Sequence, residues 1–141
     1  MHDDIAGTAD FLEQMWLVTH EESPLHEVPK GSLDAGGSGP AVRHGPWPAA
    51  ECAAVLRVWH AAGWIELYTR TRSAVPDGWE HRLILTDGEW VLDSRDARTL
   101  LASPGLWRPE RGEGQICLCP SAQGLAHAAP EWYALIQSRR R

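Results

Sequence analysis

The chain has 141 residues, a length typical of one domain, and 43% of them are hydrophobic, which excludes a wholly disordered chain. The formal net charge is −6, but the charges are unevenly placed: residues 1–34 contain eight acids and one lysine, whereas residues 35–141 contain eleven acids and twelve arginines. Neither part has the basic excess of a typical nucleic-acid-binding domain, and no apolar run approaches the length of a membrane-spanning helix.

The three cysteines do not form the even-numbered framework of a disulfide-rich secreted domain. Cys117 and Cys119 are also too close along a strand to pair comfortably. The N-terminal segment is acidic and lacks the positive start of a secretory signal. We therefore expect a reducing, cytoplasmic setting.

The first predicted element is a helix over residues 8–22, which Thr8 can cap and Pro24 ends. Its apolar stripe consists of Phe11, Leu12, Met15, Trp16 and Thr19. Residues 23–47 follow as a long Gly/Pro-rich loop, which we place inside a single domain of residues 1–141.

The second predicted helix runs from Pro48, which suits a first helical position, to Gly63, which suits a left-handed C-terminal cap. Alternation from Trp64 to Tyr68 then predicts a strand. One helix face is apolar and is formed by Cys52, Val55, Leu56 and Trp59. The opposite face is small and nearly uncharged, and it contains Ala50, Ala53, Ala54, Arg57, His60 and Ala61.

The rest of the chain predicts a small antiparallel sheet followed by further helices. Strands at 79–86 and 89–92 flank Asp87-Gly88, a strong hairpin signal. A helix at 95–102 capped by Ser94, a strand at 115–119, and helices at 121–128 and 130–136 complete the pattern. The fold class is therefore α+β, with a small antiparallel sheet and helices packed on one side.

The spacing of Cys117 and Cys119 is the most metal-like pattern in the chain, and Cys52 and His127 are the candidates that would complete a zinc site. The alternative is that both cysteines are small buried side chains on a strand. The chain contains no His-Glu-x-x-His motif and no G-x-S-x-G motif, so an enzyme is not indicated. We expect no catalytic residues, no metal and no cofactor.

The segment from Pro48 to Trp90, with a helix ending in AAGWIELY and a following hairpin, resembles part of a winged-helix domain. The resemblance implies that the second helix enters the major groove of DNA and that the hairpin acts as the wing. On this alternative, Arg57 on the helix and Arg70, Arg72 and Arg82 on the wing contact the nucleic acid.

The favoured expectation is a non-catalytic protein–protein interaction module, acting as an adaptor or as an acidic toxin-neutralising protein with a basic partner. It is motivated by the acidic N-terminal part and by the small-residue helix face. We expect the eight tryptophans mainly to supply core bulk; the alternative is that several are exposed and add to a binding surface. The candidate partner-binding residues are Glu13, Glu21, Glu22, Arg57 and His60. On this face only Arg57 and His60 could contact DNA bases, and we expect the alanine-lined face to lack the cationic groups that would bind a phosphate backbone.

Overall fold

The structure, a computed structural model, describes residues 8–34, 39–69, 84–86, 89–107 and 116–139. These ranges contain the α-helices α1 (Ala9–His20), α2 (Ala49–Ala61), α3 (Ser94–Leu101), α4 (Ala122–Leu125) and α5 (Ala129–Arg139), with 3₁₀ helices at Leu25–Lys30 and Pro104–Leu106. Their strands are β1 (Ser32–Asp34), β2 (Val42–His44), β3 (Ile65–Thr69), β4 (Ile84–Thr86), β5 (Glu89–Val91) and β6 (Cys117–Pro120). Helices combined with small antiparallel sheets confirm the predicted α+β class.

The main sheet has the strand order β4-β5-β3-β6, and every neighbouring pair is antiparallel. Strand β3 lies inside the sheet, where Leu67 is opposite Leu118 of β6 and Tyr68 is opposite Val91 of β5. Strands β4 and β5 pair as the hairpin signal predicts, with Thr86 opposite Glu89. The turn itself and residues 79–83 of the predicted strand lie outside the described residues.

The predicted junction between α2 and β3 is confirmed. Gly63 has φ 83°, and its N–H donates to the carbonyl oxygen of His60 at 2.9 Å. The next N–H, that of Trp64, reaches back to the carbonyl oxygen of Trp59 at 3.0 Å. This pair of bonds is the Schellman motif, which satisfies the last carbonyl groups of a helix and reverses the chain. The junction therefore fixes the direction in which β3 leaves α2.

Helix α2 is the centre of the packing, because it contacts α1, α3, α5, β3 and both 3₁₀ helices. The four residues predicted for its apolar face are fully or almost fully buried. Ala53, which was predicted on the outer face, is buried as well, since α2 is covered on more of its circumference than one apolar stripe requires.

The tryptophans mainly build the core. Trp59 and Trp132 are completely buried, and their rings meet edge to face with centroids 5.0 Å apart. The large exposed hydrophobic side chains of the described part are Leu33, Val42, Leu106 and Leu125. None of the described tryptophans is exposed, which agrees with the prediction that tryptophan supplies core bulk and not with the alternative of an exposed tryptophan surface; Trp79 lies outside the described residues.

The region predicted as a loop contains regular structure. The 3₁₀ helix at Leu25–Lys30 is followed by the antiparallel pair β1–β2. Side chains attach this pair to α1, because Ser32 donates to the Gln14 side chain at 2.8 Å and His44 lies 2.9 Å from Asp10. Since these bonds cross from one element to another, the local sequence does not reveal them.

Two predicted helix starts are displaced by one residue. Pro48 is the N-cap of α2 and not its first helical residue. Asp93, and not Ser94, caps α3, because its carboxylate accepts the N–H of Asp96 at 2.9 Å. Aspartate is as good an N-cap as serine, and the two residues are neighbours in the sequence. Cap preference alone therefore does not show which of them caps the helix.

Candidate functional site

The small-residue face of α2 forms one side of a concave surface that we call the arginine groove. The groove has a volume of about 320 Å³ and is lined by Ala54, Arg57, Val58, His60 and Ala61 of α2, Arg98 of α3 and Arg139 of α5. The small side chains leave room between the helices, and the arginines come from three separate elements. The structure thus brings together two predicted residues, Arg57 and His60, and adds two arginines that the sequence did not single out.

The three arginine side chains are exposed, and none forms an ion pair with a carboxylate of the described residues. No acidic side chain is among the described residues that line the groove. A guanidinium group offers several N–H donors in a planar fork, which matches carboxylate and phosphate oxygens. The groove therefore presents uncompensated positive charge over a small apolar floor, an arrangement suited to an anion.

His60 lies between the arginine groove and a second concave surface. It is half-buried, and its pKa is lowered from the ordinary value by burial and, next, by the positive charge of Arg98. The imidazole is therefore neutral at pH 7, with one donor and one acceptor nitrogen. Neither nitrogen forms a hydrogen bond with another described residue.

The second surface, which we call the serine groove, has a volume of about 440 Å³. Its lining residues are His60, Gly63, Ile65, Glu66, Leu92, Ser94, Ser121, Ala122 and Gln123. The Ser121 hydroxyl is already used, because it donates to the Gly63 carbonyl oxygen at 2.6 Å and accepts the N–H of Gly124 at 3.0 Å. The side chains of Ser94 and Gln123 have no such bond within the described ranges, so they are available to a ligand.

The predicted acidic partner-binding residues do not line either groove; they lie on α1 and at its C-terminal end. Glu13 is exposed and lies close enough to α5 to help raise the pKa of Tyr133, after the larger effect of burial. Glu21 is exposed at the C-cap of α1. Glu22 accepts a 2.6 Å hydrogen bond from the Tyr68 hydroxyl, which gives it a structural role.

Of the four residues predicted to contact nucleic acid, only one lies in the described part of the chain. Arg57 lines the arginine groove, whereas Arg70, Arg72 and Arg82 lie outside the described residues. The face of α2 that bears Arg57 is flanked by α3 and α5. Arg98 and Arg139 add positive charge next to this face, in contrast to the expectation that it lacks the cationic groups to bind a phosphate backbone.

The residues of the proposed zinc set are dispersed. Cys52 lies in the core on α2, where burial raises its pKa to about 12, and Cys117 and Cys119 lie on β6. His127 stacks on Trp64 with ring centroids 4.1 Å apart and lies 2.7 Å from Glu131. In the described part of the chain, no three His, Cys, Asp or Glu side chains are grouped so that they could hold a metal ion.

Arg98 and Arg139 are the site residues that sequence reasoning missed. Arg98 is on the exposed side of the amphipathic helix α3, and Arg139 is the last residue of α5. Such positions are ordinary for solvated arginines, and no sequence signal places them beside α2.

None of the described helices is both long and apolar enough to cross a membrane. Comparisons of the whole chain with protein-family models, with curated proteins and with solved structures found no match.

Proposed function

We propose that this protein is a non-catalytic protein-binding module, and that its arginine groove holds an acidic segment of a partner protein. The observation that supports the proposal is the convergence of Arg57, Arg98 and Arg139, from three helices, around the small-residue face of α2. Arginine clusters are a recurring means of recognising acidic motifs in partner proteins. The groove favours an acidic segment, in contrast to the basic partner that the charge of the N-terminal part suggests.

The small side chains support the same proposal. Ala54 and Ala61 are exposed and lie at the groove, so the backbone of a bound segment can approach α2 closely. When the bound segment covers an ion pair between its carboxylate and a groove arginine, water is excluded and the charges are screened less. The charge-assisted hydrogen bonds of that ion pair are then stronger. A bound acidic segment would in this way neutralise arginine charge that no carboxylate in the described part of the chain pairs with.

The test is fluorescence anisotropy with a labelled short peptide of glutamates, compared with a matched peptide of lysines, at low salt. We expect only the glutamate peptide to bind. The Arg98→Gln substitution should lower the affinity for this peptide about tenfold, because one hydrogen bond to a charged group is lost. Arg95→Gln is the matched control, because Arg95 is an exposed arginine on the same helix that does not line the groove. Equal effects of the two substitutions, or binding of the lysine peptide instead, would refute the proposal.

A winged-helix-like nucleic-acid-binding protein is the second candidate function. The observation that favours it is that all three groove arginines lie on or next to one face of α2, the helix that the resemblance assigns to the DNA major groove. If three arginines contact phosphates, the affinity falls as salt is added. A plot of the logarithm of the binding constant against the logarithm of the salt concentration then has a slope of about −3. A short labelled DNA duplex in the same anisotropy assay tests it, and a duplex that stays unbound at low salt rules it out.

A further inference from the structure

We propose that the anion in the arginine groove is a phosphate monoester on a serine or threonine of the partner segment, and that the residues next to it lie in the serine groove. This inference rests on the proposed function, because it names the chemistry of the segment that the same groove binds.

The first argument is charge. Three arginines line the arginine groove, and no carboxylate of the described residues lines it. A glutamate of the partner would neutralise one of these charges. A phosphoserine carries about −1.5 to −2 charges at pH 7 and presents three strong acceptor oxygens. One phosphate monoester therefore matches three arginines contributed by three helices better than one carboxylate does.

The second argument is the position of His60. This residue lines both grooves, so the two surfaces meet at its side chain. A neutral imidazole can donate to a phosphate oxygen from one nitrogen and accept an N–H of the same segment at the other. The two ring nitrogens of His60 are available, because its side chain forms no hydrogen bond with the rest of the described chain. It is therefore suited to connect the phosphate with the backbone that carries it.

The third argument is the chemistry of the serine groove. Ser94 and Gln123 offer polar side chains without partners in the described structure, which can bind the backbone groups of an extended segment. Glu66 is an exposed carboxylate on the same surface. Like charges repel, so the residue that lies beside the phosphorylated one is expected to be neutral or basic. The two grooves together thus predict that the segment carries its negative charge mainly on one phosphate, with an uncharged or basic neighbour beside it.

The experiment uses peptides of one sequence that differ at a central residue, which is phosphoserine, glutamate or serine, each with either lysine or glutamate beside it. Anisotropy with the full chain measures their affinities. We expect the phosphoserine peptide with lysine beside it to bind about tenfold more tightly than its glutamate counterpart, because the dianion adds charge and acceptors. The serine peptide is expected to bind least.

Two variants separate the two grooves. Arg98→Gln should remove most of the preference for phosphoserine, whereas Arg95→Gln should leave it unchanged. Glu66→Gln should remove the preference for lysine beside the phosphate and leave the preference for phosphoserine intact. Circular dichroism and urea unfolding establish that each variant is folded, so a loss of binding is read as a loss of contacts.

The outcomes are distinguishable. If the glutamate peptide binds as tightly as the phosphoserine peptide and both depend on Arg98, the proposed function stands and the phosphate inference is wrong. If no peptide binds, both are wrong. If inorganic phosphate competes at the same concentration as the phosphopeptide, the ligand is the free anion and the assignment of a protein segment is overturned. If a DNA duplex binds through Arg98 and the phosphopeptide does not, the phosphates belong to nucleic acid.

Discussion

The indole N–H of Trp59 on α2 donates a 3.0 Å hydrogen bond to the backbone carbonyl oxygen of Trp132 on α5, at the completely buried contact between their rings. The two residues are 73 positions apart in the chain. Through this contact α5 is held against α2, and Arg139 at the end of α5 lines the same groove as Arg57. The tryptophan pair therefore contributes both to the core and to the position of the candidate site.

Replacing Trp59 by phenylalanine is expected to lower the free energy of unfolding by about 2 kcal/mol, because the hydrogen bond is lost and the smaller ring leaves space. Trp16→Phe is the matched control. The indole nitrogen of Trp16 is buried without a partner among the described residues, so its removal costs no hydrogen bond. Urea unfolding measures both variants, and equal losses would contradict the role assigned to the Trp59 bond.

Gly63→Ala is expected to destabilise the protein by about 1–2 kcal/mol, because an L-residue is strained at φ 83°. The added Cβ would also lie 3.0 Å from the side-chain oxygen of Gln123. Gly105→Ala is the control, since a Cβ there meets no atom within 4 Å. The thermal unfolding temperatures of the two variants measure this difference. A Gly63→Ala variant as stable as the parent protein would show that the junction does not need a residue in the left-handed conformation.

Glu22→Ala is expected to lower the free energy of unfolding by about 1 kcal/mol, since it removes the acceptor of the Tyr68 hydroxyl. Glu21→Ala should change it by less than about 0.5 kcal/mol, because Glu21 is exposed. Both substitutions remove one negative charge from the end of α1, so the comparison isolates the hydrogen bond. If the two variants unfold at the same urea concentration, Glu22 has no structural role.

Acidification is expected to destabilise the protein partly through His60. The unfolded chain binds a proton at the ordinary pKa of 6.5, whereas burial and Arg98 lower the pKa in the folded state. The unfolded state therefore binds more protons as the pH falls below that value, and stability decreases. The His60→Gln variant should lose less stability than the parent protein between about pH 7 and pH 5, the range in which histidine titrates.

Arg98→Gln provides the second measurement for His60, because it keeps the imidazole and removes the neighbouring positive charge. Its stability should also fall less steeply with acidification than that of the parent protein. Parallel curves for the parent and both variants, measured as urea midpoints across the same pH range, would show that His60 titrates normally in the folded state.

The cysteines are expected to react with iodoacetamide in the order Cys119, Cys117, Cys52. The thiolate is the reactive form, and burial that raises the pKa of Cys52 to about 12 keeps it protonated at neutral pH. Cys117 is buried as well, whereas Cys119 is half-buried. Peptide mass mapping after timed labelling measures the order. Labelling of Cys52 in the native protein before Cys119 would contradict its burial.

The elements that could be predicted from the sequence are those with local causes. The apolar face of α2, the glycine that ends it and the alternation of β3 follow from periodicity and from the freedom of glycine at positive φ. By contrast, β1 and β2 are three residues each, and bonds such as that between His44 and Asp10, 34 positions apart, hold them on α1. Strands that depend on such distant contacts have little signal of their own.

For the candidate site, the sequence by itself determined that Arg57 and His60 share the small-residue face of α2, because helical spacing fixes which residues lie together on one helix. It did not determine what faces them. Only the tertiary structure decided that Arg98 of α3 and Arg139 of α5 lie against this face. Periodicity describes one element at a time, whereas the charge of the groove is set by how three helices pack around the buried side chains of α2.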